Sequence, residues 1–252
     1  MILLLGGTRE GREAAAGLIT NGQKVKISVT TKYGASLLED LEAEVITAKL
    51  NEADLLRIID EHDISAIVDA THPFASKISR AAISVCRNSE TFYIRYQRPR
   101  VNIPEDLTII SASDFAQAAE AASNYEKIFL TTGSKNFKIF QQKITGWQER
   151  LYLRILPLTN FVQRIAAAGL PPDNIIAMKG PFSAGLNRAI LQEYNIDVLV
   201  TKASGQTGGL PAKLEAAKLT ETPVIVISRP EIDFPRVVRT QNELIKYLES
   251  LL

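Results

Sequence analysis

A chain of 252 residues, 46% of them hydrophobic, holds enough material for one large core or two small ones. Its 29 basic and 28 acidic residues nearly cancel, which excludes a whole-molecule field that would draw it to nucleic acid or an anionic membrane and leaves any anionic ligand to locally placed basic groups. One cysteine, Cys86, and two histidines, His62 and His72, exclude an intramolecular disulfide framework and a thiolate cluster, and argue against a metal site built on imidazole.

The opening Met1-Ile2-Leu3-Leu4-Leu5-Gly6-Gly7 shows neither a basic leader nor an apolar run of membrane-spanning length. The expectation is a soluble, cytoplasmic protein. Short apolar runs at 2–5, 24–29 and 64–69 alternate with amphipathic stretches at 9–21, 35–41 and 74–87. Strand and helix at this spacing predict βαβ units and a parallel sheet.

Two prolines in the polar segment 98–106 interrupt the rhythm and mark the expected crossing between lobes, and a possible hinge. It resumes with strand 107–111 and helix 114–123, then strands at 127–132, 151–156, 174–178, 197–201 and 224–228 with helices at 161–168, 183–193 and 210–219. The predicted fold is α/β, with two Rossmann-like lobes, each an open, mostly parallel sheet flanked by helices: 1–99 for a dinucleotide, 100–252 for substrate.

Residues 2–5 run into Gly6-Gly7-Thr8-Arg9-Glu10-Gly11-Arg12. A strand, a glycine turn and a helix start present unpaired N–H groups and a positive dipole end to a pyrophosphate. Gly6 and Gly7 allow the tight turn, Gly11 the packing of helix on sheet, and the Thr8 hydroxyl can donate to phosphate. The pattern departs from G-x-G-x-x-G at Thr8, and a purely structural turn is the competing reading.

After the second strand comes Thr30-Thr31-Lys32-Tyr33-Gly34, without the carboxylate that an NAD-preferring site usually offers to the ribose. Lys32 can accept a 2′-phosphate or be a solvated loop lysine, so NADH and NADPH both stay open. Residues 66–69 end in Asp69-Ala70-Thr71-His72-Pro73-Phe74-Ala75, a loop expected beside the glycine turn at the carboxyl ends of the strands. His72 can orient a ligand or donate a proton, while Asp69 and Thr71 either touch the cofactor or satisfy turn amides and cap the next helix. His62, in a charged stretch, reads as a surface residue.

Thr131-Thr132-Gly133-Ser134-Lys135 forms a second turn of the anion-cradling kind, in which Ser134 and Lys135 either hold a carboxylate or act as cap and solvated chain. Arg154 lies in an apolar strand and needs an anionic partner, an internal acid or a substrate carboxylate. Lys179, before Gly180-Pro181-Phe182-Ser183, and Lys202, Ser204 and Gly205, in 201–209, occupy further strand-end loops. The chain contains no Tyr-x-x-x-Lys pair, G-x-S-x-G elbow, P-loop or H-E-x-x-H.

These motifs, with Arg95-Tyr96-x-Arg98-Pro99, Thr201-Lys202-x-Ser204-Gly205-x-x-Gly208-Gly209 and Arg229-Pro230, resemble in order and spacing the precorrin-6A reductase family of cobalamin (vitamin B12) biosynthesis, over nearly the whole chain. The resemblance implies an NAD(P)H-dependent oxidoreductase that binds a tetrapyrrole between two lobes and delivers hydride to its C18–C19 double bond. Thr31-Lys32-Tyr33-Gly34 looks closer to the cobalt-containing, anaerobic branch, and NADH is favoured by the same resemblance.

The resulting assignment gives Gly6, Gly7, Thr8, Gly11, Arg12, Thr30, Lys32, Asp69 and Thr71 to the cofactor and His72 to catalysis. Ser134, Lys135, Arg154, Lys179, Lys202, Ser204 and Gly205 go to the substrate, with no metal site. The protein is expected as a monomer or small homo-oligomer. The rival readings are a non-catalytic dinucleotide sensor and a tetrapyrrole methyltransferase.

Overall fold

A computed structural model describes residues 1–97 and 101–251. The chain divides into two compact units, one of Met1–Pro99 with Glu231–Leu252 and one of Arg100–Pro230. The first unit begins β1 (Ile2–Leu5), α1 (Arg9–Thr20), β2 (Val25–Val29), α2 (Lys32–Ser36), β3 (Glu44–Thr47), α3 (Glu52–His62), β4 (Ala66–Asp69), α4 (Ser76–Arg87) and β5 (Phe92–Tyr96). The second comprises β6 (Ile109–Ala112), α5 (Phe115–Ala122), β7 (Ile128–Leu130), α6 (Phe137–Lys143), α7 (Trp147–Arg150), β8 (Leu151–Ile155), α8 (Thr159–Ala167), β9 (Ile175–Ala177), α9 (Ala184–Glu193), β10 (Val198–Lys202), α10 (Leu210–Leu219) and β11 (Val224–Ile227). The chain then returns to the first unit with β12 (Val237–Val238) and α11 (Gln241–Leu251).

Each unit is a six-stranded parallel sheet, in the orders β12-β5-β4-β1-β2-β3 and β6-β11-β10-β7-β8-β9. The two halves share an architecture. Parallel sheets bury both faces, which is why β1, β4 and β11 are near-continuous apolar runs. Along β1 the side chains alternate: Ile2 and Leu4 join the core beneath α1 and α11, while Leu3 and Leu5 join the one beneath α3 and α4. In both units the strand order reverses near the middle of the sheet, between β1 and β4 and between β7 and β10. That reversal opens a crevice at the carboxyl ends of the strands.

The sequence reading assigned 231–252 to the second lobe, and the structure places this segment in the first unit. Val237 and Val238 pair with Arg95 and Tyr96, and Leu244 and Leu248 of α11 enter the core beneath α1. The helix expected at 35–41 is instead α2, started at Lys32 by Thr31, whose side chain accepts the Gly34 N–H. β3, β5 and β12 had no place in the sequence reading. Residues 98–100 of the expected crossing lie outside the described residues, and 101–106 belong to the second unit. No helix among the described residues is long and apolar enough to cross a membrane.

His62 is half-buried rather than on the surface: its Nε2 lies 2.9 Å from the ammonium of Lys26, which also pairs with Glu44 at 2.7 Å. Lys26 is 1% exposed, so its charge requires these partners.

Candidate functional site

In the first unit the site is built on the ends of β1 and β4. Gly7 has φ +101°, and a Cβ there would meet nothing within 4 Å, so the turn is open on its outer side. Gly11 is the reverse case: a Cβ would stand 3.3 Å from the Gly6 Cα and 3.4 Å from the Ala70 carbonyl. One glycine leaves backbone open to a ligand, and the other lets α1 seat against the strand ends.

The Thr8 hydroxyl, offered to phosphate on sequence grounds, is engaged inside the protein. It donates to Ala70 O at 2.9 Å and accepts the Gly11 N–H at 2.9 Å, capping α1 and tying the turn to the end of β4. The other N–H groups of the first turn of α1 have no partner within the helix. Glycine geometry, helix start and switch-point position together fit a dinucleotide pyrophosphate. Arg12, half-buried, donates its backbone N–H to Thr8 O. Thr30 and Lys32 are exposed at the end of the neighbouring β2.

Asp69 is fully buried and both its oxygens are committed. Oδ1 accepts from Thr71 N at 3.0 Å, Thr71 Oγ1 at 2.6 Å and Arg95 Nη1 at 2.8 Å, and Oδ2 accepts from the Tyr93 hydroxyl at 2.7 Å. Arg95, 1% exposed, also donates to Thr71 O and stacks over Phe234. Burial, followed by the Asp69 charge, pushes the Tyr93 hydroxyl upward and keeps it a donor. Asp69 and Thr71, both candidates for touching cofactor, therefore serve as an internal clamp on the 69–75 loop. Sequence reasoning quoted Arg95 as part of a motif without giving it a role and missed Tyr93, although an arginine inside the apolar run 92–96 carries the same signal as Arg154.

The clamp fixes His72. Its Nδ1 accepts the Phe74 N–H at 3.2 Å and its carbonyl accepts the Ala75 N–H, so the neutral ring carries its proton on Nε2.

In the second unit Leu153, Leu130 and Val200 lie side by side on β8, β7 and β10, and the next residue of each strand or its extension is Arg154, Thr131 or Thr201. Arg154, 5% exposed, donates to Asn187 Oδ1 at 2.8 Å and lies 4.0 Å over the Phe182 ring and 5.2 Å over that of Phe129. Among the described residues it has no carboxylate partner. Burial pushes its guanidinium down to about 10.

On β10, burial and then Lys135 push Lys202 down to about 8. Lys213 of α10, absent from the sequence assignment, is 6% exposed; burial first, then Arg154 and Lys202, push it down to about 7. The signal was its position: with Leu210, Leu214 and Ala217 it lies on the buried face of α10. Thr132 keeps a buried hydroxyl oxygen without a hydrogen-bond partner among the described residues.

The remaining candidates are less enclosed. Ser134 accepts from Arg164 Nη2, and Lys135 and Lys179 are exposed. Ser204 donates to Lys202 O at 3.3 Å, and Gly205, with φ +83°, passes so close to Arg229 that a Cβ would stand 3.1 Å from its Nη2. The described residues contain no group of three or more His, Cys, Asp or Glu placed to hold a metal ion.

A family model described as precorrin-6x reductase CbiJ/CobK matches residues 1–249. A cobalt-precorrin-6A reductase of Priestia megaterium is 38% identical over 251 residues, 98% of each chain. Another, of Methanocaldococcus jannaschii, is 38% identical over 253 residues, 99% of this chain and 98% of that protein. A precorrin-6A reductase of Rhodococcus erythropolis is 32% identical over 234 residues, 92% and 90% of the two chains. A solved structure described as CobK precorrin-6A reductase superposes with a TM-score of 0.81 at 23% identity, covering 99% of this chain and 96% of that one.

Proposed function

The chain belongs to the precorrin-6x reductase CbiJ/CobK family, and from that premise we propose that it reduces the C18–C19 double bond of cobalt-precorrin-6A with NADH. The observation that carries this reading is the family match across 1–249, which takes in both units. Sequence identity of 38% to cobalt-precorrin-6A reductases over 98–99% of the chain supports the cobalt-containing branch.

A reduced nicotinamide supplies the hydride, and a proton completes the addition across the double bond. The protein's own part is to bind, orient and hold charge. Backbone N–H groups at Gly7 and the start of α1 hold the pyrophosphate, with Gly6, Gly11 and the Thr8 latch setting the turn and Arg12 beside it. Asp69 and Thr71 act one step away by holding the 69–75 loop in place. His72, the catalytic candidate, orients its ligand through the ring rather than by giving up the Nε2 proton.

Arg154 and Lys202 receive substrate carboxylates, with Ser134, Lys135, Lys179, Ser204 and Gly205 framing them. Lys32 is an exposed cation at the end of β2 suited to a 2′-phosphate, so an NADPH preference would depend on it.

The test is anaerobic nicotinamide oxidation by the purified protein, with NADH and NADPH each supplied against precorrin-6A and its cobalt form. Turnover fastest with NADH and the cobalt form is expected; cofactor binding without oxidation in every combination rejects the reading. Arg154→Ala should raise KM for the ring about tenfold or more, as for a lost charge-assisted contact of about 1.5–3 kcal/mol. It should leave nicotinamide affinity unchanged, and equal loss of both would reject the division of labour between the units.

A further inference from the structure

Lys213 does not belong to any strand-end motif, yet it is the most enclosed lysine of the second unit's basic cluster. Its Nζ donates to Thr201 Oγ1 at 3.2 Å and to Gly208 O at 3.1 Å. Neither partner is charged. The charges that act on it, Arg154 from β8 and Lys202 from β10, have its own sign, and Lys135 acts in turn on Lys202. From α9 the uncharged Asn187 meets Arg154, while Arg188 and Glu193 of α9 and Glu215 and Lys218 of α10 are exposed. Among the described residues no carboxylate pairs with Arg154 or Lys213.

Like charges withdrawn from water are relieved by losing a proton or by gaining an anion. A guanidinium keeps its proton, so in this cluster the lysine that is both most enclosed and flanked by two cations is the one that gives way. An arriving carboxylate reverses the balance. Thr132, just beyond β7, keeps a buried hydroxyl without a hydrogen-bond partner among the described residues.

Resting on the assignment of Arg154 and Lys202 to substrate carboxylates, we propose that Lys213 is a positioning residue that takes up one proton from solvent when a carboxylate of the substrate settles on this cluster. In the free protein Lys213 is pushed down to about 7. Uptake should therefore approach one proton per site about one pH unit above that value and vanish about one unit below it. Over the same upper range, affinity for the ring should fall about tenfold per pH unit.

Calorimetric titration of the full chain with cobalt-precorrin-6A, in buffers of different ionisation enthalpy, reads this uptake directly. It should disappear in Lys213→Met while binding persists. Binding without uptake at about pH 8, or uptake unchanged in the variant, overturns the proposal. The nicotinamide assay on the same samples separates the two ideas: turnover without uptake rejects the coupling alone, and absence of ring binding rejects both.

If Lys213→Met fails to fold, NMR of ε-labelled lysines in the unaltered protein decides. A Lys213 signal titrating near neutrality and moving upward on binding supports the coupling; one that titrates with ordinary lysines in the free protein rejects it. Stability supplies a further readout. A lysine lowered in the folded state costs most below its folded value, and the cost is relieved as pH rises from about 7 toward its unfolded value. Lys213→Met should therefore raise the melting temperature more at acidic than at alkaline pH, whereas a lysine serving only its two hydrogen bonds would be missed at every pH.

Discussion

Asp69 and Arg95 form an ion pair at 2.8 Å with side chains 0% and 2% exposed. Two charges removed from water stabilise little as a pair, but removal of one strands the other. Asp69→Asn keeps the shape and takes away the charge, leaving Arg95 buried with no counterion. The expected loss is about 3–5 kcal/mol of unfolding free energy, measured by urea denaturation, with the 69–75 loop loosened first in hydrogen exchange. At this scale the sequence allowed two meanings for Asp69, cofactor contact or internal clamp, because a carboxylate at a strand end suits either. Only the positions of Tyr93 and Arg95, some 24–26 residues away, decide between them. The same holds for Thr8, whose partner Ala70 is 62 residues distant.

The seat of α1 sets the reach of the glycine turn. Gly11→Ala places a methyl group 3.3–3.4 Å from the Gly6 Cα, the Ala70 carbonyl and the Thr8 hydroxyl. Two of these are backbone, so the helix start must lift. Overpacking of this kind costs about 1–3 kcal/mol and should lower the thermal midpoint and nicotinamide affinity together, with substrate affinity of the second unit unchanged. The central strands were legible because burial on both faces writes apolar runs into β1 and β11, into β4 up to Asp69 and into β10 up to Val200. β3 was not, since its outer residues Glu44 and Thr47 are exposed and its inner pair half-buried. β12, two residues long, carries no period at all. Lys213 escaped because a helix wheel scored for apolar residues treats a lysine on the buried face as noise, although that misplacement is the informative observation.

Across the whole molecule the two sheets correspond strand for strand, β1 to β5 matching β7 to β11, with β12 and β6 each on the edge beside the fifth strand. Each edge strand is followed by its own helix, α11 or α5. In the second unit this strand and helix come first, and in the first unit they come last. A chain ended after residue 230 lacks Val238, Leu244 and Leu248 from the core beneath α1 and leaves β5 without its outer neighbour. At about 1.5–3 kcal/mol for each buried side chain, the loss is comparable with the whole stability of a domain, about 5–15 kcal/mol. Such a chain should lose nicotinamide binding and aggregate, while residues 100–230 alone keep a cooperative transition of their own by calorimetry. On the ribosome the same arrangement sets an order of birth. The interior unit has every strand it needs before β12 is translated, so the first unit is completed after the second, and its glycine turn is not set for a nucleotide until β12 and α11 have left the exit tunnel.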